Sequence, residues 1–386
     1  MTVTIADAQQ DRMRGTLLGL AWGDVLGCPV EFWSAELIAR VFGRYEKLPT
    51  EYPFSLIPRD EFIWGHLRPL GLHSDDTQQA LALIQTALQP GGFGVERWVE
   101  YLLLGERAGA WRGTGRNFRG AIARLESGVD PLRSGSVSPG IGAAMKIGPL
   151  GALYHDDLSS LARVVFEASY TTHADVRAVS FAFATAAACA LLVDGSRVAA
   201  VRADLPTLVK TFESEWFDRD DRGVDNVEQL HAVSSALSEA LGRDWAGAGD
   251  LRDWLCVRAR AYAADPHELA QAPNHPLVLI GGVHALCIGL CPDAASEELL
   301  ADIVRQGGDA DTVGAIAGSI LGARHGTAWI PTGRLLDEAH ILLYASALVT
   351  GELPESAASL IDRELRWTVA ELAYREEIKA GSIPST

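Results

Sequence analysis

Two short acidic clusters hold the side chains of this 386-residue chain that are best suited to chemistry. Residues 73–77 read His-Ser-Asp-Asp-Thr, and residues 307–312 read Gly-Gly-Asp-Ala-Asp-Thr. Each cluster precedes a stretch with helical apolar spacing, so each places carboxylates and a hydroxyl at a predicted helix N-terminus. Helix capping is the simpler interpretation, but one oxygen acceptor is enough for a cap. Two carboxylates and a hydroxyl, occurring twice, exceed that need.

The two clusters could form a metal site if the fold brings them together. Four carboxylates within a few ångströms of one another would repel, and would either bind protons or recruit a cation. Oxygen donors in this number favour Mg²⁺, Mn²⁺ or Ca²⁺ over zinc, which prefers histidine and cysteine. The spacing along the chain leaves both capping and metal binding open.

Two glycine stripes accompany these clusters. Glycine recurs every four residues over 15–27 and again over 314–326, which is the spacing of one helix face. A glycine inside a helix costs about 1 kcal/mol relative to alanine, so the stripes predict a close approach that side chains would prevent. Either a second helix packs on this face or a ligand lies against it. Asp24 lies within the first stripe, Glu31 follows it, and the second stripe directly follows residues 309–312.

The elements that must position these residues are helices. Apolar residues recur at helical spacing throughout the chain, which predicts an all-α fold with a single multi-helical domain over residues 1–386. C-terminal helices are expected over 332–380 and a disordered tail over 381–386. Residues 43–73 contain four prolines and are expected to form an irregular lid or binding loop. The helices predicted near the clusters and at the C-terminus are 12–27, 35–42, 75–88, 140–151, 276–290, 311–325, 355–364 and 367–379.

Composition limits the classes of partner. The formal net charge of −17 argues against binding to nucleic acid or to an anionic membrane, because both require basic surface. The chain shows no secretion signal, and the apolar run 178–193 is predicted to be a buried helix. Five scattered cysteines do not suggest a disulfide framework. The expected location is therefore the cytoplasm, with reduced thiols.

Several motifs occur in one order along the chain. Residues 14–27 read Arg-Gly-Thr-Leu-Leu-Gly-Leu-Ala-Trp-Gly-Asp-Val-Leu-Gly and are followed by Pro-Val-Glu-Phe at 29–32. Ser-Asp-Asp-Thr-Gln at 74–78, Gly-Ile-Gly-Ala-Ala-Met-Lys at 140–146, Thr-Thr-His at 171–173 and Gly-Asp-Ala-Asp-Thr at 308–312 complete the set. Together, over about residues 12–331, these motifs resemble the ADP-ribosylglycohydrolases, which include the dinitrogenase reductase activating glycohydrolase.

The resemblance implies an all-helical fold around a central binuclear site for two Mg²⁺ ions, with Mn²⁺ in some members. Glu31, on a segment that is mobile in some members, would act in catalysis with Asp75 and Asp309. The glycine-rich turn at residues 138–142 would receive the diphosphate of ADP-ribose through backbone amides. Gly115, in a Gly-Thr-Gly run, is expected to add a backbone donor. By similarity, the metal ligands would be Ser74, Asp75, Asp76, Asp309, Asp311 and Thr312, and the substrate-binding residues Ser138, Gly140, Gly142 and His173.

The chain departs from the family pattern at three positions. Ile141 stands where members usually have Asn, and Lys146 where they have Arg, which predicts an altered polar contact near the diphosphate. Ser74 replaces the commoner Thr and keeps the hydroxyl.

The expected activity is metal-dependent hydrolysis of the glycosidic bond between ADP-ribose and a protein side chain, arginine first. The alternatives are hydrolysis of another ribosyl or ADP-ribosyl small-molecule conjugate, and ADP-ribose binding without catalysis.

Overall fold

The fold is all-α, as predicted. The computed structural model describes residues 5–58, 67–217, 227–245, 247–262, 272–292, 294–353 and 355–380, and within these ranges no β-strand is formed, only isolated bridges. The predicted tail at 381–386 lies outside the described residues. The α-helices are α1 (Ile5–Gly27), α2 (Ala35–Phe42), α3 (Asp75–Ala87), α4 (Val95–Ala108), α5 (Arg116–Glu126), α6 (Gly148–Leu153), α7 (Leu158–Tyr170), α8 (Val176–Val193), α9 (Val198–Phe217), α10 (Ala232–Leu241), α11 (Ala248–Tyr262), α12 (Val283–Gly289), α13 (Ser296–Val304), α14 (Ala310–His325), α15 (Glu338–Thr350) and α16 (Ala357–Lys379).

Three helix predictions are corrected. The helix predicted over 140–151 is a 3₁₀ turn, Ile141–Ala143, followed by the short α6, because glycine and proline interrupt the segment. The helix predicted over 276–290 begins as a π-helical turn, Val278–Gly282, before α12. The break predicted between 364 and 367 is wrong, since α16 runs through it and no glycine or proline lies there.

Helix α8 forms the centre of the core. It is long and apolar enough to cross a membrane, yet 89% of it is buried inside the protein, so it is a core helix as predicted. Its alanine-rich sequence lets neighbouring helices approach closely on several sides. The five cysteines are free thiols.

The glycine stripes pack against each other. Helices α1 and α14 run antiparallel, and a Cβ added to Gly19 would overlap the carbonyl oxygen of Gly318, just as one on Gly23 would overlap that of Gly314. The helix-packing interpretation of the stripes is therefore confirmed. Because the helices are antiparallel, the C-terminal end of α1 at Gly27 lies against the first turn of α14. The stripes thus hold residues 309–312 beside the segment that follows α1.

This contact predicts the effect of adding bulk. We expect Gly318→Val to reduce the free energy of unfolding by about 3 kcal/mol or more, because the backbones must separate to admit a side chain. Gly249→Ala is the matched control, since a Cβ there meets no atom within 4 Å and α11 should gain up to about 1 kcal/mol. Urea unfolding measures both variants. A loss below about 1 kcal/mol in Gly318→Val would refute the packing argument.

The predicted irregular segment is irregular where it is described, at 43–58 and 67–73. Its aromatic side chains tie it to the body of the protein. The hydroxyl of Tyr45 donates to the carbonyl of Leu26 (3.0 Å), and the hydroxyl of Tyr52 donates to the carbonyl of Arg68 (2.9 Å). Residues 59–66 lie outside the described part of the chain, and a lid function stays a prediction.

Candidate active site

The two acidic clusters converge on one cavity of about 460 Å³. The N-termini of α3 and α14 form one wall, and the segment after α1 brings Glu31 to the same wall. Ser74 lies behind this wall and is buried. All the other residues assigned from the sequence line the cavity: Glu31, Asp75, Asp76, Gly115, Ser138, Gly140, Gly142, His173, Asp309, Asp311 and Thr312.

Ser74 and Asp24 cap the N-terminus of α3. Asp24 is not among the site residues assigned from the sequence. The Ser74 hydroxyl accepts from the amide of Asp76 (3.3 Å) and donates to Asp76 Oδ2 (3.0 Å). Asp24 reaches across from α1, and its carboxylate accepts from the amides of Ser74 (2.9 Å) and Thr77 (3.1 Å) and from the Thr77 hydroxyl (2.6 Å). Asp24 therefore fixes α3 against α1, and its place inside the glycine stripe was the signal for it.

The start of α14 is shaped by two glycines. Gly307 and Gly308 have φ of +64° and +62°, a conformation that favours glycine. This backbone pairs with the segment after α1, since the amide of Phe32 donates to the carbonyl of Gly308 (2.7 Å) and the amide of Gly308 donates to the carbonyl of Trp33 (2.9 Å). The pairing sets Glu31 beside the first turn of α14. Asp309 stands at the N-cap position but makes no capping hydrogen bond there.

Burial and mutual repulsion raise the pKa values of the carboxyl groups on this wall. Burial, followed by the charge of Asp311, raises the pKa of Asp75 to about 7, and burial with the charge of Asp24 raises that of Asp311 to about 6. The pKa of Asp76 is raised in the same way, and its Oδ1 is buried and accepts no hydrogen bond in the described chain. Such a cluster of oxygen donors fits hard divalent cations, which would relieve the repulsion.

A buried lysine supports Asp75 through an amide. The Lys146 amine donates to Gln79 Oε1 (2.6 Å), and the Gln79 amide donates to Asp75 Oδ2 (2.8 Å). Burial lowers the pKa of Lys146 to about 8. Lys146, which stands where family members usually have Arg, therefore contacts Gln79 and, through it, the acidic cluster. Gln79 was missed in the sequence, although it lies one helical turn after Asp75.

The opposite half of the cavity is the glycine-rich turn. The turn is fixed to the segment before α12, because the amide of Ile141 donates to the carbonyl of Pro276 (3.1 Å). Asn117 Nδ2 donates to the Ser138 hydroxyl (2.8 Å) beside it. A Cβ on Gly142 would lie 3.0 Å from His173 Nε2, so glycine allows the imidazole to reach the turn.

His173 is a neutral side chain in this setting. Burial, with the nearby charge of Lys146, lowers the pKa of His173 to about 3, so the ring offers hydrogen bonds and no positive charge at neutral pH. The hydroxyl of Thr172 lies 3.0 Å from His173 Nδ1 and orients the ring. The cavity thus joins an acidic wall to a polar, glycine-rich wall.

The acidic wall predicts an unusual pH dependence of stability. Because the folded-state pKa values of Asp75 and Asp311 lie above the ordinary value of 3.8, the folded metal-free protein binds protons that the unfolded chain has released. The contribution of these two carboxyl groups to its stability should therefore fall as pH rises from about 4 to about 7. Saturating Mg²⁺ at about pH 7.5 should raise the Tm by about 5 °C, and much less at about pH 5. Thermal melts at both pH values measure this; a larger shift at the lower pH would contradict it.

Comparison with known proteins gives a family for this fold and site. The family model described as ADP-ribosylglycohydrolase matches residues 6–365. An uncharacterised protein of Archaeoglobus fulgidus is 28% identical over 316 residues, covering 82% of this chain and 88% of that protein. The uncharacterised protein YegU of Escherichia coli K12 is 27% identical, with the same coverage of each chain.

A solved structure agrees with these matches. The structure titled ADP-ribosylglycohydrolase-related protein complex superposes with a TM-score of 0.62 and 25% identity, covering 89% of this chain and 99% of its own. The family match over residues 6–365 includes both acidic clusters and both glycine stripes. This chain belongs to the ADP-ribosylglycohydrolase family.

Proposed function

We propose that this protein removes ADP-ribose from a modified protein side chain, arginine first, by hydrolysis that depends on two Mg²⁺ or Mn²⁺ ions. Family membership supports glycohydrolase activity and implies ADP-ribosylated substrates. The observation that carries the proposal is the meeting of two acidic helix N-termini and Glu31 on one wall of a cavity whose other wall is a glycine-rich turn. The substrate, the metals and the residue roles are parts of the proposal.

The reaction exchanges one bond at the anomeric carbon of the ribose. The bond from this carbon to the side-chain nitrogen breaks, a bond to a water oxygen forms, and a proton passes from the water to the leaving nitrogen. The transition state has oxocarbenium character, so it is stabilised by negative charge close to the ring. Bound divalent cations would supply a water of lowered pKa and would orient the ribose hydroxyls.

The side chains have separate tasks in this proposal. Glu31 lies on the cavity wall, where its carboxyl can transfer a proton between water and the leaving group. Ser138, the amides of the glycine-rich turn and His173 would hold the diphosphate part of the substrate, and a neutral His173 adds a hydrogen bond there without adding charge. The residues that would hold the cations are Ser74, Asp75, Asp76, Asp309, Asp311 and Thr312.

Ile141 favours a second candidate, a hydrolase of a smaller ribosyl conjugate. This side chain lines the cavity at the glycine-rich turn, where it offers no hydrogen bond to a diphosphate. A site that recognises mainly the ribose would bind simple ribosyl compounds with an affinity similar to that for ADP-ribose. Competition between the two ligands separates the candidates.

The test is a product assay with the purified protein and Mg²⁺ or Mn²⁺. The substrates are arginine-linked, serine-linked and small-molecule-linked ADP-ribose, and the expected result is release of ADP-ribose from the arginine-linked substrate. Heat of binding to ADP-ribose without product from any substrate would show a non-catalytic binder. Equal competition by ribosyl compounds would support the second candidate.

A further inference from the structure

A buried guanidinium lies behind the acidic wall of the cavity. Arg68 is only 1% exposed, and none of its three guanidinium nitrogens makes a hydrogen bond within the described chain. Its Nη2 lies 3.8 Å from Glu31 Oε2, and its Nε lies 3.8 Å from Glu371 Oε1. Charge therefore places the guanidinium between two carboxylates, and within the described residues its N–H groups have no acceptor.

Stability does not explain this arrangement. A buried cation loses its hydration, and attraction to carboxylates repays that loss only when good hydrogen bonds accompany it. In the described part of the chain, Arg68 has neighbouring carboxylates but no hydrogen bond to them. A well-packed apolar side chain at this position would serve the folding energy at least as well.

The second carboxylate comes from the last helix of the chain. Glu371 lies on α16, and it is itself paired with Arg375 and with Arg112, whose Nε is 3.8 Å from Glu371 Oε2. Arg112 is also paired with Glu364, which lies two helical turns before Glu371 on α16. The distance from Arg112 Nη2 to Glu364 Oε2 is 2.8 Å. Alternating charges thus run from α16 through Arg68 to Glu31. Glu371 lies beyond residue 365, where the family match ends.

The guanidinium and the predicted metal ligand Asp75 both lie against Gly113. A Cβ on Gly113 would lie 3.4 Å from Arg68 Nη2 and 3.3 Å from Asp75 Oδ1, so a single glycine separates the two side chains. Gly113 has φ of +72°, which favours glycine. Arg68 is therefore directed at the part of the wall that holds both Glu31 and Asp75.

We propose that Arg68 is a positioning residue that holds the Glu31 carboxylate on the cavity wall, and that Glu371 of α16 keeps Arg68 in place for this task. The proposal rests on the proposed function, since a fixed Glu31 matters only where Glu31 acts. It makes the C-terminal helix part of the support of the site. Arg68 opposes the charges of Asp311 and Asp309, which act on Glu31 from the same wall.

The first arm of the test needs no activity. Hydrogen exchange is measured on the metal-free protein for the amides of Phe32 and Trp33, which follow Glu31 and are hydrogen-bonded in the fold. We expect Arg68→Met and Glu371→Gln to speed this exchange by about tenfold, because the segment loses its side-chain anchor. Arg363→Gln is the control: it removes another ion pair of α16, with Asp337, and should leave these amides unchanged. Unchanged exchange in both test variants would overturn the proposal.

The second arm is a double-mutant cycle on turnover. We expect Arg68→Met to lower kcat by about 10- to 100-fold with KM within about twofold, and Arg68→Lys to recover part of the loss. In the Glu31→Gln background, Arg68→Met should have almost no further effect, because it acts through Glu31. An equal loss in both backgrounds would show a general structural role and overturn the proposal. Absence of turnover in the unmodified protein would refute the proposed function, while the exchange arm still decides the role of Arg68.

Discussion

Replacing Asp309 with alanine is expected to lower kcat/KM by about a thousandfold, equivalent to about 4 kcal/mol of transition-state stabilisation. In the proposed site this carboxylate is one of the oxygen donors for the cations. The same change should abolish the Mg²⁺-dependent rise in Tm. It should not destabilise the metal-free protein, because burial and the charge of Asp311 raise the pKa of Asp309 and its side chain makes no capping hydrogen bond at α14. Asp309→Ala should therefore lower the activity without lowering the stability of the metal-free protein.

Asp157→Ala is the matched control for this prediction. Asp157 also stands at a helix N-terminus, at the start of α7, where its exposed carboxylate accepts from the amide of Ser160 (3.0 Å). Its loss should lower the stability slightly and leave kcat/KM unchanged, the reverse of the pattern for Asp309. Wild-type turnover and an intact Mg²⁺ shift in Asp309→Ala would disprove the metal site.

The sequence predicts those features of the fold that depend on local patterns. Helix α2 has the predicted bounds, and the glycine stripes could be interpreted as packing surfaces because eight glycines on two helix faces need an external reason. The pattern could not show that the partners of the first stripe lie in the second. It also failed at residues 140–151, where apolar spacing continues but the glycines favour a tight turn.

The sequence could predict the residues of the site, but not the residues that hold them in place. The acidic clusters and the glycine-rich turn have local signatures. The place of Asp24 in the glycine stripe was a signal, but its capping role could not be derived, because its partner Ser74 lies 50 residues away. The partner of Lys146, Gln79, lies 67 residues away. Arg68 had no signature at all, since it belongs to an irregular segment. Residues that support a site through tertiary contacts leave no pattern along the chain.

The net charge of −17 and the proposed anionic substrate are compatible for a local reason. The field in a cavity depends on the charges close to it, and a low-dielectric surrounding strengthens them. Arg68 and Lys146 are buried near the acidic wall, and the N-termini of α3 and α14 point at the cavity. Bound cations would add to these. The exclusion of anionic partners from net charge therefore applies to the outer surface and not to the cavity.

Glu31→Gln is expected to lower kcat by about 10²- to 10⁴-fold with little change in KM or Tm. Glutamine has the shape and hydrogen-bonding capacity of the carboxyl group but cannot take up and release a proton. Burial, followed by the charge of Asp311, raises the pKa of Glu31, which helps this carboxyl group to take up a proton. The amide should also retain the place of the side chain on the cavity wall.

Glu36→Gln is the control variant for this measurement, because Glu36 is an exposed residue of α2 only five positions further along the chain. Steady-state rates with arginine-linked ADP-ribose and calorimetry with free ADP-ribose should be compared for both variants. If Glu31 acts in proton transfer, Glu31→Gln binds ADP-ribose as the unmodified protein does and turns the substrate over slowly, whereas Glu36→Gln is unchanged in both. Normal turnover by Glu31→Gln would remove Glu31 from the mechanism and assign proton transfer to water or to the aspartates of the wall.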